Sequence, residues 1–354
     1  MTDEMMQKLA LLGALHAQDN EEKNDGGDEM FVSSLGDANI LLQQHMTPNG
    51  AKFRRQLVDY ITNPENRVLG EGAVYHNFIM DLFRVGDYDI SLKVCDFVLN
   101  MAPYNRDILA DAIKACGDSS QFELGEKYLE RAEKIPYDKW TFRLFLYGVD
   151  FLKTELDANP MNEGIYDRVS QLIDQYIQYF PYDEHGYNQR GELLIMTNQR
   201  DKAIQTLKRF IKNPPVQQKA HSFLVTAQCC VTLLNLLDDS TEYDDIIEFC
   251  DKGMQNTTQE QPSAAMGFFM YRKALALDAK AHACNFQNSD VVRSALVCYQ
   301  SAYDLNQGRS YSKTIEQRYA ILRPHVDKDQ FVPLVKRPLY VTEKEAKETS
   351  LFDE

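Results

Sequence analysis

Four prolines punctuate the chain at near-regular intervals: Pro103, Pro136, Pro181 and Pro215. Each follows an amphipathic stretch. Proline ends a helix because its ring fixes φ and removes the backbone N–H. The first and last gaps are close to one another and the middle one is longer; a recurring interval of about 34 residues is the mark of an internal repeat. Apolar residues recur at i, i+3, i+4 and i+7 through 53–61, 74–84, 90–101, 122–132, 140–156, 165–179, 203–211, 220–237, 266–283, 292–304 and 315–322, which is the helical period. No segment alternates cleanly between turn signals, so strands are not expected. The helices come mostly in pairs, parted by Gly86-Asp87, Gly117-Asp118, Pro160, Asn198, Asp238-Asp239 and Asn288-Ser289.

The second helices share a frame. Ser91 is followed by Cys95, Val98 and Pro103; one interval later Gly125 leads Leu129 and Ala132, with Pro136 one position early. Val169, Ile173, Tyr176 and Pro181 repeat it, and one interval further on come Ala203, Leu207, Phe210 and Pro215. Ala295, Tyr299 and Ala302 give a last copy, and Ile246, Cys250 and Gly253 a looser one; Tyr187, Gly191 and Leu194 mark a first helix.

This pattern resembles the tetratricopeptide repeat family over roughly residues 72–305, best in units 72–105 and 184–215. The resemblance implies an all-α, right-handed α-solenoid of about six helical hairpins: 72–105, 106–137, 138–182, 184–215, 216–256 and 262–305. The wider spacings from the third unit on imply lengthened helices and loops. Residues 39–71 then supply N-terminal capping helices, and 309–325 a C-terminal capping helix that solvates the end of the array. Residues 1–38 read as a mostly disordered acidic segment, and 326–354 as an extended acidic tail.

The chain's 38 basic and 53 acidic side chains give a net charge of −15. Residues 1–30 carry −6 of it and 339–354 carry −3. Without a basic stripe, nucleic acid and anionic membrane are not expected partners. No apolar run approaches the roughly 18 residues of a membrane span. Leu9 to Leu15 follows Asp3 and Glu4, which fits a secretory signal badly. The seven cysteines, Cys95, Cys116, Cys229, Cys230, Cys250, Cys284 and Cys298, are odd in number and contain no CxxC. That usage points to reduced thiols in the cytoplasm, where the Asn256-Thr257-Thr258 sequon has little meaning.

A search for chemistry comes back nearly empty. There is no phosphate-cradling GxxxxGK[ST], HExxH or GxSxG. Gly70-Glu71-Gly72 has Tyr75 where a dinucleotide fingerprint needs its third glycine. The acidic loop from Asp238 to Asp245 would need a bidentate Glu at position twelve to hold calcium, but Phe249 or Cys250 stands there. No two of His16, His45, His76, His185, His221, His282 and His325 are spaced i, i+4. Cys229-Cys230 read as buried structure rather than a redox pair, and Ser310-x-x-Lys313 lacks its companion motifs. The expectation is no enzyme and no cofactor.

The family's inner-face positions carry over to His76, Met80, Phe83 and Arg84 in the first unit, and to Asp107, Ala110, Asp111 and Lys114 in the second. In the fourth they are His185, Asn188, Gln189, Glu192 and Met196. Such a mixture suits an extended peptide or helix from a partner protein. A chaperone-adaptor subfamily uses Lys and Asn to hold a terminal carboxylate; His76, Met80 and Asp111 stand at those positions, and Asp111 would repel it. The resemblance therefore implies a non-catalytic interaction scaffold or adaptor. A peptide-sensing regulator that closes on a short signalling peptide is the alternative, and a homodimer through terminal helices is left open. The repeat frame makes one direct prediction: Ala203→Asp places an unpaired charge in the core and costs about 3 kcal/mol or more, read as a fall in melting temperature.

Overall fold

The computed structural model describes residues 32–66, 68, 72–160, 162–213, 227–238, 240–255, 264–305, 311–326 and 334. The expectations for residues 1–31, Gly70-Glu71, Pro215, the first part of the 220–237 helix, the sequon, Ser310 and the tail from 327 onward, Leu334 apart, fall outside them. Among the described residues the chain is all helix, with fifteen α-helices and no strand. It divides into two compact units, one ending at Val94 and one beginning at Cys95.

The first unit holds α1 (Leu35–Gln44), α2 (Ala51–Ile61), α3 (Gly72–Arg84) and the first half of α4 (Tyr88–Met101). The Ser34 Oγ accepts the Asp37 N–H at 3.2 Å and caps α1, satisfying one of the donors a helix start leaves open. Val32 and Leu35 are buried, so packed structure begins inside the segment expected to be mostly disordered. The reason is local: a serine cap followed by Leu35, Ala38, Leu41 and Leu42 supplies an apolar stripe that α2 and α3 cover. Arg54, only 2% exposed, donates to the His45 and Thr47 carbonyls at 2.6 and 2.7 Å and to the Asp87 carboxylate. A buried guanidinium is tolerated because its donors are answered by acceptors, one of them charged.

The second unit continues with α5 (Arg106–Asp118), α6 (Phe122–Glu133), α7 (Phe142–Ala158), α8 (Glu163–Tyr179), α9 (Glu184–Met196), α10 (Arg200–Lys212), α11 (Ala227–Leu234), α12 (Tyr243–Gln255), α13 (Ala264–Ala283), α14 (Ser289–Leu305) and α15 (Ser312–Leu322). Each odd-numbered helix from α5 to α13 pairs with its successor. Successive odd-numbered helices also pack on one another, so that α5 meets α7, α7 meets α9, α9 meets α11 and α11 meets α13. That alternation is the hairpin-on-hairpin stacking implied by the sequence repeat, in which no pair buries its apolar face alone.

The turns inside four of the pairs are alike, the last with a second left-handed residue, Phe286 at φ 59°. Gly86, Ser120, Asn198 and Asn285 have φ of 76°, 56°, 58° and 48°. The next residue sends its N–H five residues back: Asp87 to Leu82 (3.1 Å), Gln121 to Cys116 (2.9 Å), Gln199 to Leu194 (2.8 Å) and Phe286 to Ala281 (2.8 Å). This left-handed cap satisfies carbonyls the helix end would leave open. The α7–α8 pair departs from it. Both helices run 17 residues, against 13 for α5 and α9, and Asn159-Pro160 sits in their turn.

Close approach depends on small residues. A Cβ added at Gly125 would lie 2.2 Å from the Phe151 ring, and one at Gly253 2.4 Å from the Phe269 ring. In both cases a glycine on a second helix receives an aromatic ring from the first helix of the following pair. Ala203 and Ala295 are fully buried, as the frame requires. Around α7 and α8 the Phe145 ring stacks on Tyr176 (5.4 Å between centroids), and Trp140 donates its indole N–H to the Ile135 carbonyl at 3.0 Å. At the C-terminal end, α15 supplies Arg318, whose guanidinium donates to the buried Asp278 at 2.6 and 2.8 Å, beside the Tyr299 hydroxyl at 2.9 Å. Gly125→Val forces a branched side chain against Phe151 and costs about 1–3 kcal/mol, measured as a lower urea midpoint.

A polar face on the first helices

The first helices of the second unit carry polar side chains at a repeated spacing. On α5 they are Asp107, Asp111, Lys114 and Asp118; on α7, Arg143, Tyr147, Asp150, Thr154 and Asp157; on α9, His185, Gln189 and Glu192, with the apolar Met196 next in the same register. Steps of four and three residues return to one side of a helix, so each set forms a stripe. Neighbouring stripes are bonded to each other. Arg143 donates to Asp107 at 3.1 Å, joining α5 to α7. The Asp150 carboxylate accepts the Gln189 amide N–H at 2.6 Å, and Lys153 donates to the Gln189 carbonyl at 2.5 Å and to Glu192. Asn188 donates to Glu192 at 2.8 Å and accepts the Thr232 hydroxyl at 2.7 Å, joining α9 to α11.

The expected site residues therefore fall into different roles. In the first unit, His76 and Met80 are half-buried on α3, Phe83 is buried against Tyr88, and Arg84 is exposed with an ion pair to Asp81 at 2.7 Å. In the second, Asp107 is exposed and Lys114 is half-buried, paired with Asp118 at 2.9 Å and poised 5.5 Å from the Tyr147 ring centroid. Asp111, Asn188 and Gln189 are buried. His185 donates its Nδ1–H to the Asp183 carboxylate at 2.7 Å, and that hydrogen bond holds its pKa above the ordinary value. Burial alone lowers the Lys114 pKa, but the bond to Asp118 and its charge outweigh it, so the ammonium is held above its usual range. Asp150 has an exposed edge but is crowded on its other sides, and the lost solvation raises its carboxyl despite Lys153 nearby.

The α7 residues are missing from the set expected from the repeat frame, because that unit's irregular length hides its register. The Arg143, Tyr147, Asp150, Thr154, Asp157 spacing is the signal that marks them.

Glu184 is the most perturbed carboxyl of this face. It is 5% exposed, and its Oε2 accepts the Gln228 and Cys229 N–H groups at 3.0 and 3.4 Å, fastening α9 to the described start of α11. Burial pushes its pKa up to about 7, against the lowering effect of those two donors.

Two adjoining clefts open on this face. One, of about 460 Å³, lies between α5, α7 and α9 and is bordered by Lys114, Asp118, Tyr147, Lys153, Thr154 and Asp157. The other, of about 490 Å³, lies between the ends of α7 and α9 and the start of α8, bordered by Pro160, Glu163, Tyr166 and Gln199. Asp157 and Met196 belong to both.

Among the described residues, no three His, Cys, Asp or Glu groups gather to hold a metal. Six of the seven cysteines are buried and none forms a disulfide. Burial pushes the Cys116 thiol up to about 12 and raises Cys95, Cys229, Cys250 and Cys298 as well, the reverse of what an activated nucleophile needs. In the 238–245 loop, Asp238 accepts the Ser240 N–H and hydroxyl at 2.9 and 2.7 Å, and Glu242 accepts the Asp238 N–H. No helix among the described residues is long and apolar enough to cross a membrane.

The geometry is that of a helical-hairpin repeat protein. No family model matches the chain, and no curated protein does. Among solved structures, a tetratricopeptide repeat protein from Parabacteroides merdae matches with a TM-score of 0.41 and 10% identity, over 81% of this chain and 98% of its own.

Glu184 sets a pH dependence of stability. Its folded pKa lies above the unfolded 4.5, so its favourable contribution is complete at low pH and is lost as pH rises from about 4.5 through about 7. The wild type should therefore gain stability over Glu184→Gln as pH falls from 8 to 5, measured by paired thermal melts.

Proposed function

We propose that the face formed by α5, α7, α9 and α11 binds a peptide segment of a partner protein, and that the chain is a non-catalytic scaffold or adaptor. One observation carries this reading: the first helices of successive pairs present aligned polar stripes beside two open clefts that share Asp157 and Met196. Stripes at right angles to an extended ligand offer it a new set of side chains at each helix, the way repeat arrays read a linear partner. The stitched residues Asn188 and Gln189 hold the helices in place, while Thr154, Asp157 and Met196 are exposed to a ligand. Buried, unbridged cysteines fit the reducing cytoplasm, and the acidic balance fits a protein partner rather than nucleic acid.

Selection of a random dodecamer display library on the full chain should return binders. Thr154→Trp, which fills the first cleft from an exposed position, should weaken them about tenfold or more, and Glu130→Trp on α6 should leave them bound. Binders indifferent to Thr154→Trp would remove this face from the function.

A further inference from the structure

We infer that the clefts at the end of α7 take a cationic segment of the partner, a lysine or arginine beside an apolar side chain, with Asp157 as anchor; this rests on the peptide-binding reading above. The lengthened pair creates the place. The α7 helix has four residues more than α5 or α9, about one turn or 6 Å. Asp157 lies in that last turn and forms the wall common to both clefts.

The charge there is uncompensated. The C-terminal turns of α5, α7 and α9 border the clefts, and none contains a basic residue. By contrast α6, α10 and α12 end with Arg131, with Arg209 and Lys212, and with Lys252. A helix C-terminus carries partial negative charge that a cation stabilises. Of the two lysines in the first cleft, Lys114 is taken by Asp118 and Lys153 by Glu192 and Gln189. Asp157 has no ion pair among the described residues. Glu163 adds a second carboxylate across the second cleft, although it also serves the N-terminal turn of its own helix.

The apolar part of the ligand has its own seat. Met196 is 37% exposed at the junction of the clefts, and the half-buried Tyr166 lies on the far wall. A thioether adapts to varied apolar shapes, and a tyrosine face accepts both the stem and the head of a lysine or arginine. The chain's own residues 1–30 carry a net −6 and are repelled, so that segment does not supply the cation.

The same dodecamer selection separates this inference from the broader one. Enriched peptides should contain Lys or Arg next to an apolar residue. In fluorescence anisotropy at physiological salt, Asp157→Asn with Glu163→Gln should weaken the best of them about tenfold. The control pair Glu130→Gln with Asp167→Asn removes the same charge from exposed positions on α6 and α8 and should change affinity less than about twofold. Acidic or neutral binders that still depend on Thr154 would overturn the cationic inference and keep the peptide-binding face. Equal weakening by both charge-matched pairs would reduce the effect to net charge and overturn it too. Binders that ignore Thr154 would remove both.

Discussion

The stack depends on an unusual helix at its centre, one whose buried side is polar. In α9, Glu184, Asn188 and Gln189 are all nearly out of solvent, yet each is answered. Backbone N–H groups at Gln228 and Cys229 answer Glu184, Thr232 and Glu192 answer Asn188, and Asp150 and Lys153 answer Gln189. Apolar contacts would hold α7, α9 and α11 together in several sliding registers, because hydrophobic attraction has no direction. A buried amide or carboxylate left without its partner costs far more than a misplaced methyl group. The network therefore admits one alignment, and the stripes on α5, α7 and α9 come into line as a consequence.

That alignment makes the polar face and limits it. Some stripe residues are consumed by holding neighbouring helices, and only those beyond the stitches stay open to solvent. The extra turn of α7 carries Asp157 past the last stitch at Lys153 and Glu192. The second helices contribute differently: Gly125 and Gly253 open room for Phe151 and Phe269, so the pairs close behind the face while the first helices remain available in front.

Much of this was legible in the residues themselves. The left-handed caps at Gly86 and Asn198 stand at turn signals, and the frame from Ser91 to Gly125 to Ala203 marks positions that are all buried. The site was less legible. Asp107, Lys114 and Glu192 keep some exposure on the polar face, whereas Gln189 in the same stripe and Asn188 beside it are buried. Tyr147, Asp150 and Lys153 escaped because the long third pair has no fixed offset from its neighbours.

The sequence by itself determined the helices, their pairing and their turns, because those follow from the 3.6-residue period, capping residues and chain breakers acting within a few residues of one another. Only the tertiary structure decided which polar groups became internal braces and which stayed open to solvent. That choice turns on contacts between residues 36 to 45 positions apart, such as Arg143 with Asp107 and Glu184 with Cys229, and on how far one helix outruns the next. Neither is written in any local stretch of the chain.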